Sequence, residues 1–119
     1  MPVIQEIIKP TVHVRYGPDA SQEALRQLQY GMEEEGIPWE AEAGAGDALS
    51  LAWEAAQGSR LEVGIGLDEQ DLILHYSKLE RAQPLFRISI RSGREQIRAL
   101  GANAARLVKK LPLKALDRR

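Results

Sequence analysis

LEVGIGLDEQDLILHY, residues 61–76, constrains the architecture more tightly than any other part of the chain. Leu61, Val63, Ile65 and Leu67 alternate with Glu62, Gly64 and Gly66, which is the period of a β-strand. A second apolar run, Leu72 to Tyr76, follows after only Asp68-Glu69-Gln70-Asp71. Strands joined this tightly pair antiparallel, because a parallel return needs a crossover of about a dozen residues.

Upstream the pattern switches between strand and helix. Thr11 to Tyr16 predicts a strand with Val12 and Val14 on one side and Thr11, His13 and Arg15 on the other. Pro18, Asp19 and Ser21 supply turn and cap chemistry before a helix from Gln22 to Glu35, whose Leu25, Leu28 and Met32 recur at helical spacing. Gly36 is placed to end it in the left-handed conformation. Ile37 to Ala43 reads as a weak strand, and Asp47 as the cap of a helix to Gln57 with Leu49, Ala52, Trp53 and Ala56 as its apolar stripe.

Downstream, Lys78 to Pro84 reads as a loop and Leu85 to Ile90 as a last strand. In the final helix Ile97, Leu100, Ala104, Leu107, Val108 and Leu111 form the apolar stripe, with Arg94, Arg98, Arg106, Lys109 and Lys110 on the other side, until Pro112 stops it. The order β-α-β-α-β-β-β-α predicts a three-layer α/β/α domain with a mixed, mostly parallel five-stranded sheet. Residues 1–119 are expected to form a single domain, with 1–10 and 115–119 as loosely ordered tails.

Composition narrows the function classes. At 119 residues the chain hides about 65% of its extended surface on folding, enough for one core. The absence of Cys excludes a disulfide framework, a thiolate zinc site, an iron–sulfur cluster and a Cys nucleophile. No apolar run of about 18 residues occurs, and the first residues lack a signal-peptide pattern, so a cytoplasmic chain with no membrane partner is expected. Charge is unevenly spread: residues 1–86 hold 6 Lys+Arg against 15 Asp+Glu, and residues 87–119 hold 10 against 2. The halves carry −9 and +8, suited to docking on a partner of matching polarity.

No catalytic constellation stands out. Gly44-Ala45-Gly46 precedes a helix, but Leu49 replaces the third small residue of a dinucleotide fingerprint and Asp47 puts negative charge where a phosphate would sit. There is no GxxxxGK[ST] loop and no GxSxG elbow. His13 and His75 fall on different strands without ligand spacing around them, and Trp39 and Trp53 read as core or interface anchors. The basic last helix has only Phe86 nearby as an aromatic platform, which argues against nucleic acid. Glu33-Glu34-Glu35 is the least ordinary feature, because three carboxylates at a helix C-terminus oppose the macrodipole at about 0.3–1 kcal/mol each. Taking Leu25, Leu28 and Met32 as the buried face, Glu34 points away from it, toward a partner or a cation.

Glu-Glu-Glu-Gly-Ile-Pro (33–38), Ala-Trp-Glu-Ala-Ala (52–56), Leu-Glu-Val-Gly-Ile-Gly-Leu-Asp (61–68), His-Tyr (75–76), Pro-Leu-Phe (84–86) and Asn-Ala-Ala-Arg-Leu-Val-Lys (103–109) form an ordered set from about residue 11 to 113. By that set the chain resembles the small subunit of the reactivating factor for adenosylcobalamin-dependent diol and glycerol dehydratases. The stretch at Gly44-Ala45-Gly46 and residues 87–100 match the pattern less closely. The resemblance implies a fold like the dehydratase medium subunit and anticodon-binding domains. It also implies a non-catalytic subunit that binds no cofactor itself and pairs with a large, chaperone-like ATPase subunit carrying ATP or ADP. Damaged cobalamin would leave diol or glycerol dehydratase when this chain exchanges onto the dehydratase large subunit, in the cytoplasm or a bacterial microcompartment. Finally, it implies Mg²⁺ or Ca²⁺ on Glu34 at the contact with the large subunit, with Glu33, Glu35, Trp39, Asn103 and Arg106 as partner-contact residues.

Two alternatives carry different tests. A cobalamin-holding component of the dehydratase itself would bind cobalamin unaided, and an anticodon-binding-like domain would bind RNA with a steep salt dependence. The isolated chain is expected to release no phosphate from ATP; release above that of a blank preparation would refute this reading.

Overall fold

The computed structural model describes residues 10–116. The elements are β1 (Val12–Tyr16), α1 (Gln22–Glu34), β2 (Trp39–Ala43), α2 (Ala48–Gly58), β3 (Val63–Leu67), β4 (Asp71–Tyr76), β5 (Phe86–Ser89), a 3₁₀ turn (Ile90–Ser92) and α3 (Arg94–Lys109). The sheet order is β2-β1-β3-β4-β5. β1 pairs parallel with β2 and β3, and β4 pairs antiparallel with β3 and β5. Four strands therefore share one direction and β4 opposes them, which is the mixed sheet expected from residues 61–76.

Side-chain alternation divides the core. Val12 and Val14, Val63, Ile65 and Leu67, Leu72 and Leu74, and Phe86 and Ile88 face Leu28 and Met32 of α1 and Ile97, Leu100 and Ala104 of α3. Ile73 faces the other way and packs with Ala48 and Ala52 of α2. All five residues of β3 are buried, because helices cover both its faces.

The α2 layer depends on Gly64 and Gly66. A Cβ on Gly66 would overlap the Ala52 amide nitrogen and the Ala48 carbonyl oxygen, and one on Gly64 would overlap the Ala56 amide nitrogen. With no side chain on that side of β3, the backbone of α2 lies directly on the strand. The buried face of α2 is Ala48, Leu51, Ala52, Ala55 and Ala56, small enough to permit that approach. The stripe read from sequence is turned relative to this face, since Leu49 and Trp53 are only partly buried.

Both expected caps of the early helices form. Ser21 accepts from the Ala24 amide at 3.1 Å, and Asp47 accepts from the Ser50 amide at 2.8 Å. That backbone hydrogen bond holds the Asp47 carboxyl below the usual carboxylate range. Gly36 takes φ +73°, and the amides of Gly36 and Ile37 donate to the carbonyls of Glu33 and Met32, closing α1 as a Schellman motif. Asp68 both shapes the β3–β4 turn, accepting from the amides of Gln70 and Asp71 at 2.8 Å, and accepts from the Ala48 amide of α2 at 2.9 Å.

Several boundaries move. β3 begins at Val63, not Leu61, because Glu62 adopts φ +64° in a turn whose amide donates to the Ser59 carbonyl. β5 ends at Ser89, and Ile90 enters the 3₁₀ turn. α3 ends at Lys109, with Lys110 left-handed at φ +60°, so Leu111 leaves the helical stripe and stands 45% exposed. Of the tails expected to be loose, residues 1–9 and 117–119 lie outside the described residues, whereas Leu116 packs against the core.

Gly66→Ala is expected to lower stability by about 1–3 kcal/mol, because α2 must move off β3 to admit the methyl group. Gly58→Ala, whose Cβ would meet the His13 Nδ1 at an ordinary 3.4 Å, is the control and should change little. Urea denaturation of both variants checks the pair.

Candidate partner interface at the C-terminal ends of α1 and α3

The two helices on the same face of the sheet touch through glycine. A Cβ on Gly31 would overlap the Arg98 carbonyl oxygen and lie 2.7 Å from the Ala102 nitrogen, and a Cβ on Gly101 would overlap the Leu28 carbonyl oxygen. A crossing this close brings long side chains beside it within reach of the opposite helix. Gln27 faces Arg98 and Glu35 faces Arg106, so the helices run in the same sense and their C-termini lie side by side.

Two networks result. Arg98 Nε donates to Oε1 of buried Gln27 at 3.1 Å, and Gln27 Nε2 donates to Glu23 at 2.8 Å. That bond from Gln27 is the main influence holding the Glu23 carboxyl below the usual carboxylate range. Arg98 Nη1 lies 3.4 Å from Glu34 Oε1, and the guanidinium sits 5.4 Å from the ring centre of Tyr30. Further along, Arg106 Nε donates to Glu35 Oε2 at 3.2 Å, and Lys109 Nζ donates to the Glu35 carbonyl.

This arrangement corrects the reading of the acidic helix end. Arg98, Arg106 and Lys109 do not form a purely outward basic face; they reach across to α1 and place positive charge where its macrodipole and three glutamates are negative. No external cation is needed to offset that end. The pairs differ in strength of hold. Glu35 and Arg106 are 17% and 28% exposed, whereas Glu34 and Arg98 are 48% and 42% exposed and are correspondingly screened by water.

The remaining sequence-predicted residues fall in different settings. Glu33 is exposed and has no ion-pair partner among the described residues. Trp39 opens β2 opposite Val12 and packs, half-buried, against the main core. Asn103 is fully buried, with its amide committed to the backbone of Lys114, so it is not presented at the surface as a partner-contact residue would be. Among the described residues no group of three or more His, Asp or Glu side chains is placed to hold a metal ion. Glu34 could contribute one carboxylate to a shared site, with the other ligands coming from outside the chain.

Elsewhere the groups that could have marked a binding site are taken up within the fold, although Arg15 Nε is buried without a hydrogen-bond partner. The N-terminal amides of Ala48 and Ser50 in α2 are taken by Asp68 and Asp47, so carboxylates occupy the place where a phosphate would bind. His75 is buried, accepts from the Tyr76 amide at Nδ1 (3.0 Å) and lies 3.0 Å from the Arg81 carbonyl at Nε2, with Trp53 edge-on at 5.2 Å. These contacts tie the ring into the fold as a structural group. From sequence Arg98 and Lys109 read only as part of an outward basic face, and Gln27 and Tyr30 carry no assigned role. The equal eight-residue spacings Gln27 to Glu35 and Arg98 to Arg106 were the available signal, but it has meaning only once the two helices are known to be neighbours.

Among the described residues no helix is long and apolar enough to cross a membrane. A family model described as dehydratase medium subunit matches residues 9–114. The diol dehydratase-reactivating factor small subunit of Klebsiella michiganensis is 41% identical over 93 residues, which cover 77% of this chain and 74% of that one. The propanediol dehydratase-reactivating factor small subunit of Salmonella typhimurium is 44% identical over 91 residues, covering 76% and 78%. Of solved structures, a glycerol dehydratase reactivase superposes with a TM-score of 0.85 at 38% identity, covering 90% of this chain and 98% of that one. A diol dehydratase-reactivating factor complexed with ADP and Mg²⁺ superposes with a TM-score of 0.84 at 36% identity, covering 91% and 100%.

Arg106→Met is expected to cost about 1.5–3 kcal/mol, since it strips a charged hydrogen bond from the sheltered Glu35. Arg98→Met, beside the exposed Glu34, should cost about 1 kcal/mol or less from that ion pair, plus what the Gln27 bond contributes. Equal losses for the two in chemical denaturation would contradict the ranking.

Proposed function

The chain belongs to the family of dehydratase-reactivating factor small subunits, and from that membership we propose that it is the non-catalytic exchange subunit of an ATP-dependent, chaperone-like reactivase. In this reading a large partner subunit carries the nucleotide and hydrolyses it. This chain leaves that partner, occupies the place of the dehydratase medium subunit on the dehydratase large subunit, and so lets damaged cobalamin escape from diol or glycerol dehydratase. The observation that carries the reading is the match to the dehydratase medium subunit model over residues 9–114, since an exchange subunit must imitate the subunit it replaces. The carboxylate-filled N-terminus of α2 supports placing ATP on the partner. The complex would act in the cytoplasm or in a bacterial microcompartment.

The docking surface we assign to this function is the α1 C-terminal end. Glu33 and Glu34 are its outward carboxylates, Glu35 and Arg106 keep its shape, and Trp39 supplies an apolar margin on the neighbouring strand edge. Glu34, half-exposed and held by one screened ion pair, would donate a carboxylate oxygen to Mg²⁺ or Ca²⁺ completed by large-subunit or water ligands. The cation would compete with Arg98 for Glu34, and the guanidinium would keep its bond to Gln27.

The exchange assay mixes this chain, its large partner, ATP and cobalamin-inactivated dehydratase. Damaged cobalamin is expected to be released while this chain co-purifies with the dehydratase large subunit. Release that proceeds equally without this chain would refute the function. In the same system Glu34→Gln should weaken the complex with the large partner when Mg²⁺ is present and match the parent when it is chelated; unchanged affinity in both conditions would remove Glu34 from the contact. Stable cobalamin binding by the isolated chain, read from the visible spectrum, would instead favour a dehydratase component.

A further inference from the structure

The chain reverses where α3 ends. Lys110 is left-handed at φ +60°, and the Leu111 amide donates to the Arg106 carbonyl at 2.9 Å. The segment then runs back past the helix it has left. Asn103, fully buried about two turns before Lys110, takes both backbone groups of Lys114: its Nδ2 donates to the carbonyl at 3.0 Å and its Oδ1 accepts from the amide at 2.7 Å. Leu113 and Leu116 pack against the main core. Residues 112–116 are thus seated on both their polar and their apolar sides.

The Pro112 carbonyl lies between two anchors, the Leu111 bond before it and the Asn103–Lys114 pair after it. It accepts from Arg106 Nη1 at 3.1 Å, while Nε of the same guanidinium donates to Glu35 Oε2 at 3.2 Å. A guanidinium is planar, so bonds from two of its nitrogens fix its plane as well as its position, which neither bond does alone. Asn103 and Arg106 stand three residues apart, the spacing that puts side chains on the same face of a helix. A segment tied to the first therefore passes the second. Glu35 is the residue that ends α1, and its carbonyl also takes the Lys109 ammonium. That end carries Glu33, Glu34 and Glu35 against an unfavourable macrodipole, so it gains from each tie that keeps it closed.

We propose that Asn103 is a positioning residue for the docking surface at the end of α1. By seating residues 112–116 it fixes the Pro112 carbonyl, the carbonyl orients Arg106, and Arg106 holds Glu35 so that Glu33 and Glu34 are presented to the partner in one geometry. The proposal rests on the reading that this surface docks the large subunit; the linkage from Asn103 to Glu35 rests on the bonds themselves. Asn103 touches no partner and acts through population. If the fraction of molecules holding the docking geometry falls to about one tenth, affinity falls about tenfold.

The test compares Asn103→Leu, Arg106→Met, their combination and Gly66→Ala, which strains the opposite layer, all in the full chain. Nitrogen-edited NMR of the isolated protein reads hydrogen exchange at Arg106 Nε–H and at the Gly36 and Ile37 amides that close α1. Measured against the amide of buried Leu28, these sites should exchange at least about fivefold faster in Asn103→Leu and be unchanged in Gly66→Ala. Binding to the large subunit with Mg²⁺ present should weaken by about five- to tenfold in Asn103→Leu and stay within about twofold of the parent in Gly66→Ala. In the Arg106→Met background, Asn103→Leu should lower stability further but affinity no further, because its route to the surface is already cut. Lys114→Pro removes the amide that Asn103 accepts from and leaves the interior of α3 intact, so it should reproduce the loss even where Asn103→Leu does not fold. Unchanged exchange at Arg106 Nε–H, additive affinity losses in the double variant, or a Gly66→Ala variant that binds as weakly as Asn103→Leu would each overturn the proposal. If Arg106→Met and Glu34→Gln both bind like the parent, the docking surface itself is misplaced and the proposal falls with it. Weakened binding in those two with none in Asn103→Leu would refute the positioning role alone.

Discussion

Glycine-permitted contact between backbones places every helix in this domain. Gly64 and Gly66 leave one side of β3 bare, and the alanine-rich face of α2 settles on it. Such a face carries little apolar area per residue. It contributes through density of contact, and dispersion falls steeply once a gap of even half an ångström opens. Gly31 and Gly101 do the same work between α1 and α3. There the close crossing has a second consequence, because it sets which charged side chains can meet.

The uneven charge along the chain acquires its meaning from that crossing. A −9 first part and a +8 last part suggest two surfaces offered to outside partners. In the folded domain a share of that complementarity is consumed internally, as Arg98, Arg106 and Lys109 answer the glutamates at the end of α1. The pairing is graded. Glu35 is locked and sheltered, Glu34 is held on one side and wet on the other, and Glu33 is outward. A surface built in this way keeps a fixed shape while leaving one carboxylate able to change partner, at a cost that surface screening keeps small.

Family membership was legible through ordered blocks of residues more than through any chemical constellation. The Glu33–Pro38 block is both part of the family pattern and the end of α1, and its proposed role as an interface rests on that pattern. Its internal partners were hidden, because Arg98 and Arg106 read as a solvated basic face when α3 is drawn as an isolated helix. Asn103 shows the same limit. Its place in the Asn103–Lys109 block marked it as a contact residue, yet the contact it makes is with this chain's own Lys114, which only the turn at Lys110 brings back.

Local chemistry determined the elements by itself: the alternation and short turn of residues 61–76, the caps at Ser21 and Asp47, the left-handed stop at Gly36, and hence a mixed sheet with three helices. These follow because periodicity, capping and positive φ depend on neighbours along the chain. The tertiary structure alone decided which face of α2 is buried, that β3 starts after a left-handed Glu62, and that α1 and α3 cross at glycines and neutralise each other. Those outcomes depend on which backbones approach within contact distance, and that distance is set by residues far apart in sequence acting together.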